Sequence, residues 1–258
     1  MCGKPLDTRC MPLTEGCQSP AIAVLRSSDQ NRITQLLVGQ RRLAPGVLPN
    51  LTALAQRRLH GGRSLRPVDS LAPEALLPRL RGTFGRDYRY VGSTPSTQLL
   101  IRPDDVEGAV VVAGEQTAGR GRLGRRWLAP AGTSLLFSVQ LLPRIESARL
   151  PELTGVAARA CTEAIAAVTG LVAEVKHPND VLLDGRKVAG VLAEAREGRV
   201  VLGIGINVNV AGPDLPTDVD RPATSLLVET DRETDRAELL VEMLDRLERR
   251  YRDWVSGG

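Results

Sequence analysis

The sequence predicts an α+β fold, a mixed and largely antiparallel sheet flanked by helices. Three observations lead there. Beyond residue 107, apolar runs of strand length follow one another with turn residues between them. Only two long segments, 150–170 and 235–254, carry apolar residues at helical spacing. Strands do not alternate with helices as repeated βαβ units would require.

The elements follow in order. Residues 1–80 carry prolines at 5, 12, 20, 45, 49, 67, 73 and 78, and "RR" and "GGR" break any periodicity. "RITQLL" and "NLTALAQRRL" read as short helices with basic ends. A helix-turn-helix is one reading of them, although Pro45, Gly46 and Pro49 interrupt its spacing. A weakly structured extension is another, with Met11 as an internal start. The expected division is therefore 1–80, a basic N-terminal stretch that is a degenerate DNA-binding module or disordered, and 82–258, the folded domain. "GAVVVAGEQ" (108–116) predicts a buried strand, and "TSLLFSVQLLP" (133–143) a longer one stopped by Pro143. "LPELTGVAARACTEAIAAVTG" predicts a helix ended by Gly170. "LVAEVK" (171–176) follows as a strand. In 180–195, Asp184-Gly185 supply the positive-φ turn of a hairpin. "GRVVLGIGINVNV" (198–210) returns as a strand, and the 235–254 helix closes the domain.

Charge and composition exclude several classes. Of a net charge of +4, residues 1–80 account for +6 and the rest for −2, so basicity belongs to the N-terminal stretch. No apolar run reaches the roughly 18 residues of a membrane span. The N-terminus has no apolar signal region, so a cytoplasmic protein is expected. Cys2, Cys10, Cys17 and Cys161 form no C-x-x-C pair, and His60 and His177 stand far apart, so reduced thiols are expected rather than structural zinc.

The stretch "AGRGRLGRRW" (118–127) holds four arginines and three glycines in ten positions and ends on one of two tryptophans. Set between strands, it reads as a loop. Gly119, Gly121 and Gly124 let the backbone approach a ligand. Arg120, Arg122, Arg125 and Arg126 offer forked donors for phosphate or carboxylate oxygens. Trp127 offers an apolar face. Together they predict a mobile anion-binding loop over a phosphate-bearing ligand. The alternative is an Arg/Gly-rich surface segment for nucleic acid, but such segments repeat in disordered tails and this one occurs once.

"KHPND" (176–180) puts Lys176 at a strand end, a place from which a lysine can bring a carboxylate and a phosphate together. Asn179 and Asp180 then cap the turn or ligate Mg²⁺. A plain Pro-Asn-Asp turn with a surface lysine is the alternative. "GIGINVN" (203–209) places glycines in a strand, a mark of close approach, with Asn207 in reach of metal or phosphate.

"EQTAGRGRLGRRWLAPAGTSLLFSVQL", "KHPNDVLLDGRKVAGVLAE" and "GIGINVNV" together resemble the three signature blocks of biotin–protein ligases, in the family's order. With "ATSLL" (223–227) and the last helix, the resemblance covers residues 82–254. It implies the core shared by biotin and lipoate ligases, which is similar to that of class II aminoacyl-tRNA synthetases. It implies ATP and Mg²⁺ as cofactors and biotin as substrate. Biotin and MgATP give biotinyl-5′-adenylate, which acylates one lysine of a biotin carboxyl carrier domain in a carboxylase.

By that resemblance Lys176 is the main catalytic side chain and Arg122 the second. The biotin site takes Gln116, Gly119, Arg120, Gly121, Arg122, Lys176 and Gly190. ATP meets Arg120, Arg122, Arg125, Trp127, Asn179 and Asn207, and the metal meets Asp180 and Asn207. The family's Ser-Thr-Asn-like start of a helix has two frames in "VGSTPSTQLL". Ser96-Thr97-Gln98 is preferred and Ser93-Thr94 is the alternative; N-capping would serve either. A homodimer is one candidate assembly, and the sequence does not decide the oligomeric state.

Three departures stand out. His177 replaces the family's tryptophan after the motif lysine, with altered packing expected. The N-terminal stretch shows no clear repressor-type helix-turn-helix. The chain stops at Gly258, so the family's small C-terminal β-barrel is expected to be absent. The rivals are a lipoate or octanoate ligase or transferase of the same fold, and a nucleic-acid-binding regulator acting through the basic N-terminal stretch. No membrane partner is expected, and DNA binding only under the last reading.

Overall fold

The computed structural model describes residues 71–144, 147–217 and 221–257. The short helices expected in 1–70, the helix-turn-helix question, and Cys2, Cys10, Cys17 and His60 lie outside the described residues.

Among the described residues the strands are β1 (Tyr88–Thr94), β2 (Val110–Gln116), β3 (Gly119–Arg120), β4 (Arg126–Trp127), β5 (Ser134–Leu141), β6 (Glu174–Lys176), β7 (Asp180–Leu183), β8 (Arg186–Arg196) and β9 (Arg199–Asn207). The helices are α1 (Pro73–Leu76), α2 (Glu152–Thr169), α3 (Leu226–Thr230) and α4 (Arg236–Ser256). Seven strands form one sheet in the order β1-β2-β5-β9-β8-β7-β6, and β3 and β4 form a separate ribbon. β1 and β2 are parallel, and every other pair in the large sheet is antiparallel. The mixed, largely antiparallel α+β expectation holds.

Local chemistry explains the turns. Asp184 and Gly185 adopt φ of 47° and 72° between β7 and β8, the geometry read from the sequence. Glu197 and Gly198 do the same between β8 and β9, at 45° and 79°. Gly170 ends α2 at φ 77°, its N–H bonded to the Ala166 carbonyl. Asp235 caps α4, its carboxylate accepting from the Ala237 N–H at 2.8 Å. Two expectations shift. The strand expected from 171 begins only at Glu174, and Val172 is 90% exposed. Leu71, Leu76 and Leu80 are buried in the main core. The packed domain therefore takes in residues grouped by composition with the N-terminal stretch, because their leucines are spaced to cover one patch of core.

α2 and α4 pack on each other and on one face of the sheet. Alanines at 157, 160 and 164 of α2 let the helices approach, while Leu240, Met243, Leu244 and Leu247 of α4 fill the space between. The sheet face they cover presents Val200, Leu202, Ile204 and Ile206 from β9, all buried. Alternation sends Gly203, Gly205 and Asn207 to the other face.

Candidate active site

That other face forms the floor of a cavity of about 620 Å³. The floor is glycine. Gly190 of β8 pairs with Gly205 of β9, and Leu192 with Gly203. A Cβ at Gly203 would stand 2.9 Å from the Gln98 carboxamide, and one at Gly205 would stand 2.7 Å from the Trp127 ring. A Cβ at Gly190 would meet Trp127 and Lys187 at 3.2 and 3.3 Å. These glycines exist so that side chains can lie flat on the sheet. Gly190, expected to meet a ligand, lines the cavity, and its missing side chain also admits Trp127 and Lys187.

One end of the cavity is neutral and hydrogen-bonding. Ser96, Thr97 and Gln98 are buried and line it, whereas Ser93 is exposed and neither Ser93 nor Thr94 lies on its wall. The structure therefore brings the 96–98 frame to the cavity. The turn is a single 3-10 turn over Thr97–Leu99, not the start of a helix, and the Ser96 side chain makes no capping bond. The N-capping expected of it does not occur, because the chain turns away after three residues. Instead Thr97 is held from below. Gln116 Oε1 accepts from the Thr97 N–H at 2.7 Å and from its hydroxyl at 3.1 Å, and the hydroxyl also meets Ser138 Oγ at 2.7 Å. Gln98 donates to the Leu192 carbonyl at 3.1 Å, and its Oε1 is buried without a hydrogen-bond partner among the described residues. A buried acceptor left open on a cavity wall is ready for a ligand N–H.

The other walls are cationic. Among the described residues, seven Lys and Arg side chains line the cavity, against the carboxylate of Asp180. The arginine stretch is a hairpin rather than the plain loop expected: β3 pairs with β4, Gly119 opposite Trp127 and Arg120 opposite Arg126. Gly119 is needed for that pairing, since a Cβ there would lie 2.5 Å from the Trp127 carbonyl. At the tip Leu123 takes φ 57° and is 86% exposed, a left-handed conformation uncommon outside glycine. Arg122 donates to Asn179 Oδ1 at 2.9 Å. Asn179 in turn donates to the Val191 carbonyl at 3.1 Å, so one amide side chain links the hairpin to β8. Arg120 pairs with Glu194 at 2.9 Å. Arg125 and Gly121 also line the cavity, and the Trp127 indole N–H is buried without a partner among the described residues.

Lys176 ends β6 opposite Asp180. It is exposed into the cavity, and among the described residues no hydrogen bond or ion pair engages its ammonium. Asp180 is held by Lys187, Nζ to Oδ1 2.6 Å. That Nζ also stands 5.9 Å from the centre of the Trp127 ring. Asn207 ends β9, buried, its amide donating to the Thr224 carbonyl at 3.0 Å. This bond and the Lys187 backbone, paired with Pro222 and Thr224, hold the 221–225 segment at the cavity edge. His177, in the place of a tryptophan, is exposed on the cavity wall. Cys161 takes no part: it is buried in the core under α4, and burial pushes its thiol up to about 12.

Sequence reasoning missed Lys187, Glu194 and Arg196. Counting by twos from Gly190 puts Leu192, Glu194 and Arg196 on the ligand face, so that signal was present. Lys187 was hidden by a bulge. Val181 pairs with Ala189 but Leu182 with Lys187, so β8 carries one extra residue there. The extra residue reverses the alternation and turns Lys187 to the cavity.

Comparison with known proteins meets this geometry. The profile of the Biotin/lipoate A/B protein ligase family matches residues 92–211. The chain is 38% identical over 182 residues to the biotin–[acetyl-CoA-carboxylase] ligase of Mycobacterium tuberculosis, covering 67% of each protein. The chain belongs to the biotin–protein ligase family. The bifunctional ligase/repressor BirA of Bacillus spizizenii is 41% identical over 174 residues, covering 65% of this chain and 54% of that protein. The chain thus spans about half the length of the BirA relatives it matches, at 54% and 48%. The biotin protein ligase of Aquifex aeolicus, solved in complex with biotin and ATP, overlays with a TM-score of 0.61 at 34% identity, covering 66% of this chain and 72% of that one. For a biotin–protein ligase family member, the neutral end and the cationic wall of this cavity suit two chemically different halves of one bound complex.

Proposed function

We propose that the protein activates biotin with ATP to biotinyl-5′-adenylate and transfers biotin to one lysine of a biotin carboxyl carrier domain of a carboxylase. One observation carries this reading: a single cavity joins a neutral hydrogen-bonding end to a wall rich in cations. A neutral ureido ring suits the first and a polyphosphate the second.

In the first step a biotin carboxylate oxygen attacks the α-phosphorus and pyrophosphate leaves. Carboxylate and triphosphate repel each other, and the unengaged Lys176 ammonium holds the two together in the transition state. Arg122 and Arg125 neutralise phosphate, and Arg120 lies between phosphate and biotin. Ser96, Thr97, Gln98 and Gln116 bind the ring, with the open Gln98 oxygen as an acceptor. Trp127 and the glycine floor exclude water from the mixed anhydride. In the second step a carrier lysine amine attacks the acyl carbon and AMP leaves. A magnesium ion would be carried mainly by phosphate oxygens, and the protein groups that would hold it are Asp180, which Lys187 engages at 2.6 Å, and the Asn207 amide oxygen, which is left over when its nitrogen donates to Thr224. When bound, magnesium neutralises phosphate charge.

The test is incubation of the full chain with biotin, ATP and MgCl₂ and detection of biotinyl-adenylate by mass, followed by labelling of a purified carrier domain. Parallel arms use lipoic and octanoic acids. Activation of either acid without activation of biotin overturns the biotin assignment.

A further inference from the structure

Arg120, one of the hairpin arginines on the cavity wall, does not stand alone. Glu194 of β8 accepts from Arg120 at two points, Oε1 from Nη2 at 2.9 Å and Oε2 from Nη1 at 3.1 Å. The same Oε2 accepts from Arg196 Nη2 at 2.5 Å. The other arm of Arg196 donates to the Gln98 carbonyl at 3.2 Å. One carboxylate thus joins the arginine hairpin, the sheet floor and the turn at the neutral end of the cavity. Glu194 itself is off the cavity wall, whereas Arg120 is on it.

We propose that Glu194 is a positioning residue for adenylation: it fixes the Arg120 guanidinium at the cavity wall, and Arg196 ties it to the turn that carries Ser96–Gln98. The proposal rests on the adenylation reading above. A two-point grip on a planar fork sets both the place and the plane of the cation. Among the described residues Arg126, on the same hairpin, is anchored only to the Thr117 carbonyl, at 3.1 Å. Without Glu194, two guanidinium groups face each other with no shared counter-charge, and Arg120 has to be ordered by the ligand instead. The pair contributes little to the fold, because the Arg120 and Glu194 side chains are 44% and 22% exposed. Its contribution is orientation.

The experiment uses the full chain and biotin-dependent exchange of labelled pyrophosphate into ATP with Mg²⁺ present. Glu194→Gln, Arg120→Ala and the double variant are compared with wild type. Glu194→Gln is expected to lower kcat/KM for ATP about tenfold, the lower end for loss of a group that orients another. Biotin affinity by calorimetry should fall by less than the rate does, since Gln98 keeps its own bonds, and Tm should be unmoved, as for an exposed pair. In the Arg120→Ala background the same substitution should change the rate by less than about twofold, because the two residues act as one unit. An unchanged rate, equal effects in both backgrounds, or a rate loss matched by lost Tm and biotin affinity overturns the proposal. Wild type without exchange overturns the adenylation reading itself, and the positioning role falls with it. The wild-type activity reports on the first idea and the ratio between backgrounds on the second.

Discussion

The two faces of β9 carry opposite chemistry. Toward the helices stand Val200, Leu202, Ile204 and Ile206, all buried in the core. Toward the cavity stand Gly203, Gly205 and Asn207. The first face is filled to exclude everything, and the second is emptied so that Gln98 and Trp127 can lie on it. The polar groups differ in the same way. On the helix side, the buried carboxylate of Glu248 is satisfied three times over from Thr83 and Phe84. On the cavity side, Gln98 Oε1 and Trp127 Nε1 are buried without partners and the Lys176 ammonium is unengaged among the described residues. One face is finished by folding alone, and the other leaves polar and charged groups open to the cavity.

Breaking the finished face should have the largest effect, and it should fall on stability. Leu202 is fully buried between the sheet and the helices. Leu202→Ala should lower the unfolding free energy by about 2–5 kcal/mol, the lost transfer energy plus the cavity left behind. Chemical denaturation checks this. Biotin-dependent pyrophosphate exchange, measured cold on the folded fraction, should remain within about threefold of wild type, since nothing on the ligand face is touched. A variant as stable as wild type would mean the helix face is not the closed core described.

Lys176→Ala should do the reverse. An exposed, unengaged cation contributes little to folding, so Tm should hold. The adenylation rate should fall about a hundredfold or more, the scale of one charge-stabilising donor removed, or about 2.7 kcal/mol. Single-turnover formation of biotinyl-adenylate reads it directly. A rate within about twofold of wild type returns Lys176 to the role of a plain turn lysine.

Arg122 sharpens the division within the ligand face. Its only hydrogen bond among the described residues is to Asn179. Arg122→Gly should weaken retention of the adenylate more than recognition of biotin, whose ring system is neutral. The loss is about 1.5–3 kcal/mol for a charge-assisted bond, or about ten- to a hundredfold in the intermediate's lifetime on the protein. Biotinylation of an unrelated bystander protein should rise accordingly. Equal bystander labelling and an unchanged adenylate off-rate would show that the side chain does not clamp phosphate.

The finished face was the more legible one. Leu153, Val156 and Ala160 announce their helix by spacing alone, and Asp184-Gly185 announces its hairpin by backbone chemistry. Such signals are local, which is why they survive in a linear reading. The unfinished face depends on pairs distant in sequence. Glu194 meets Arg120 across 74 positions, and nothing near either residue says so. Lys187 was lost to a single bulge. The glycines were noticed for the right reason, close approach, but what approaches Gly203, Gly205 and Gly190 in this structure is the protein's own Gln98, Trp127 and Lys187.

The smallest expected effect tests whether the helix side is as self-sufficient as it looks. Glu248 lies in α4 at 4% exposure, where burial alone would push its carboxyl up. The hydrogen bonds from the Thr83 hydroxyl and from the Phe84 and Thr83 backbone, with the Arg252 charge beside it, outweigh that and hold it below the ordinary value of 4.5. A carboxylate whose folded value is depressed stabilises the protein above its unfolded value, and that contribution is lost as pH falls through the folded value. Glu248→Gln keeps one acceptor oxygen and loses the charge, so it should cost about 1 kcal/mol at neutral pH, the middle of the range for one hydrogen bond. The difference between the two proteins should be constant above about pH 5 and shrink steadily below about 4.5, the ordinary glutamate value. Denaturation midpoints of both proteins from pH 3 to 7, about the span over which a carboxylate titrates, measure it. A difference that does not depend on pH would mean that Glu248 secures the 82–84 segment by shape and not by charge. Gly82 would then be the residue to change next, because a Cβ there would run into the same carboxylate.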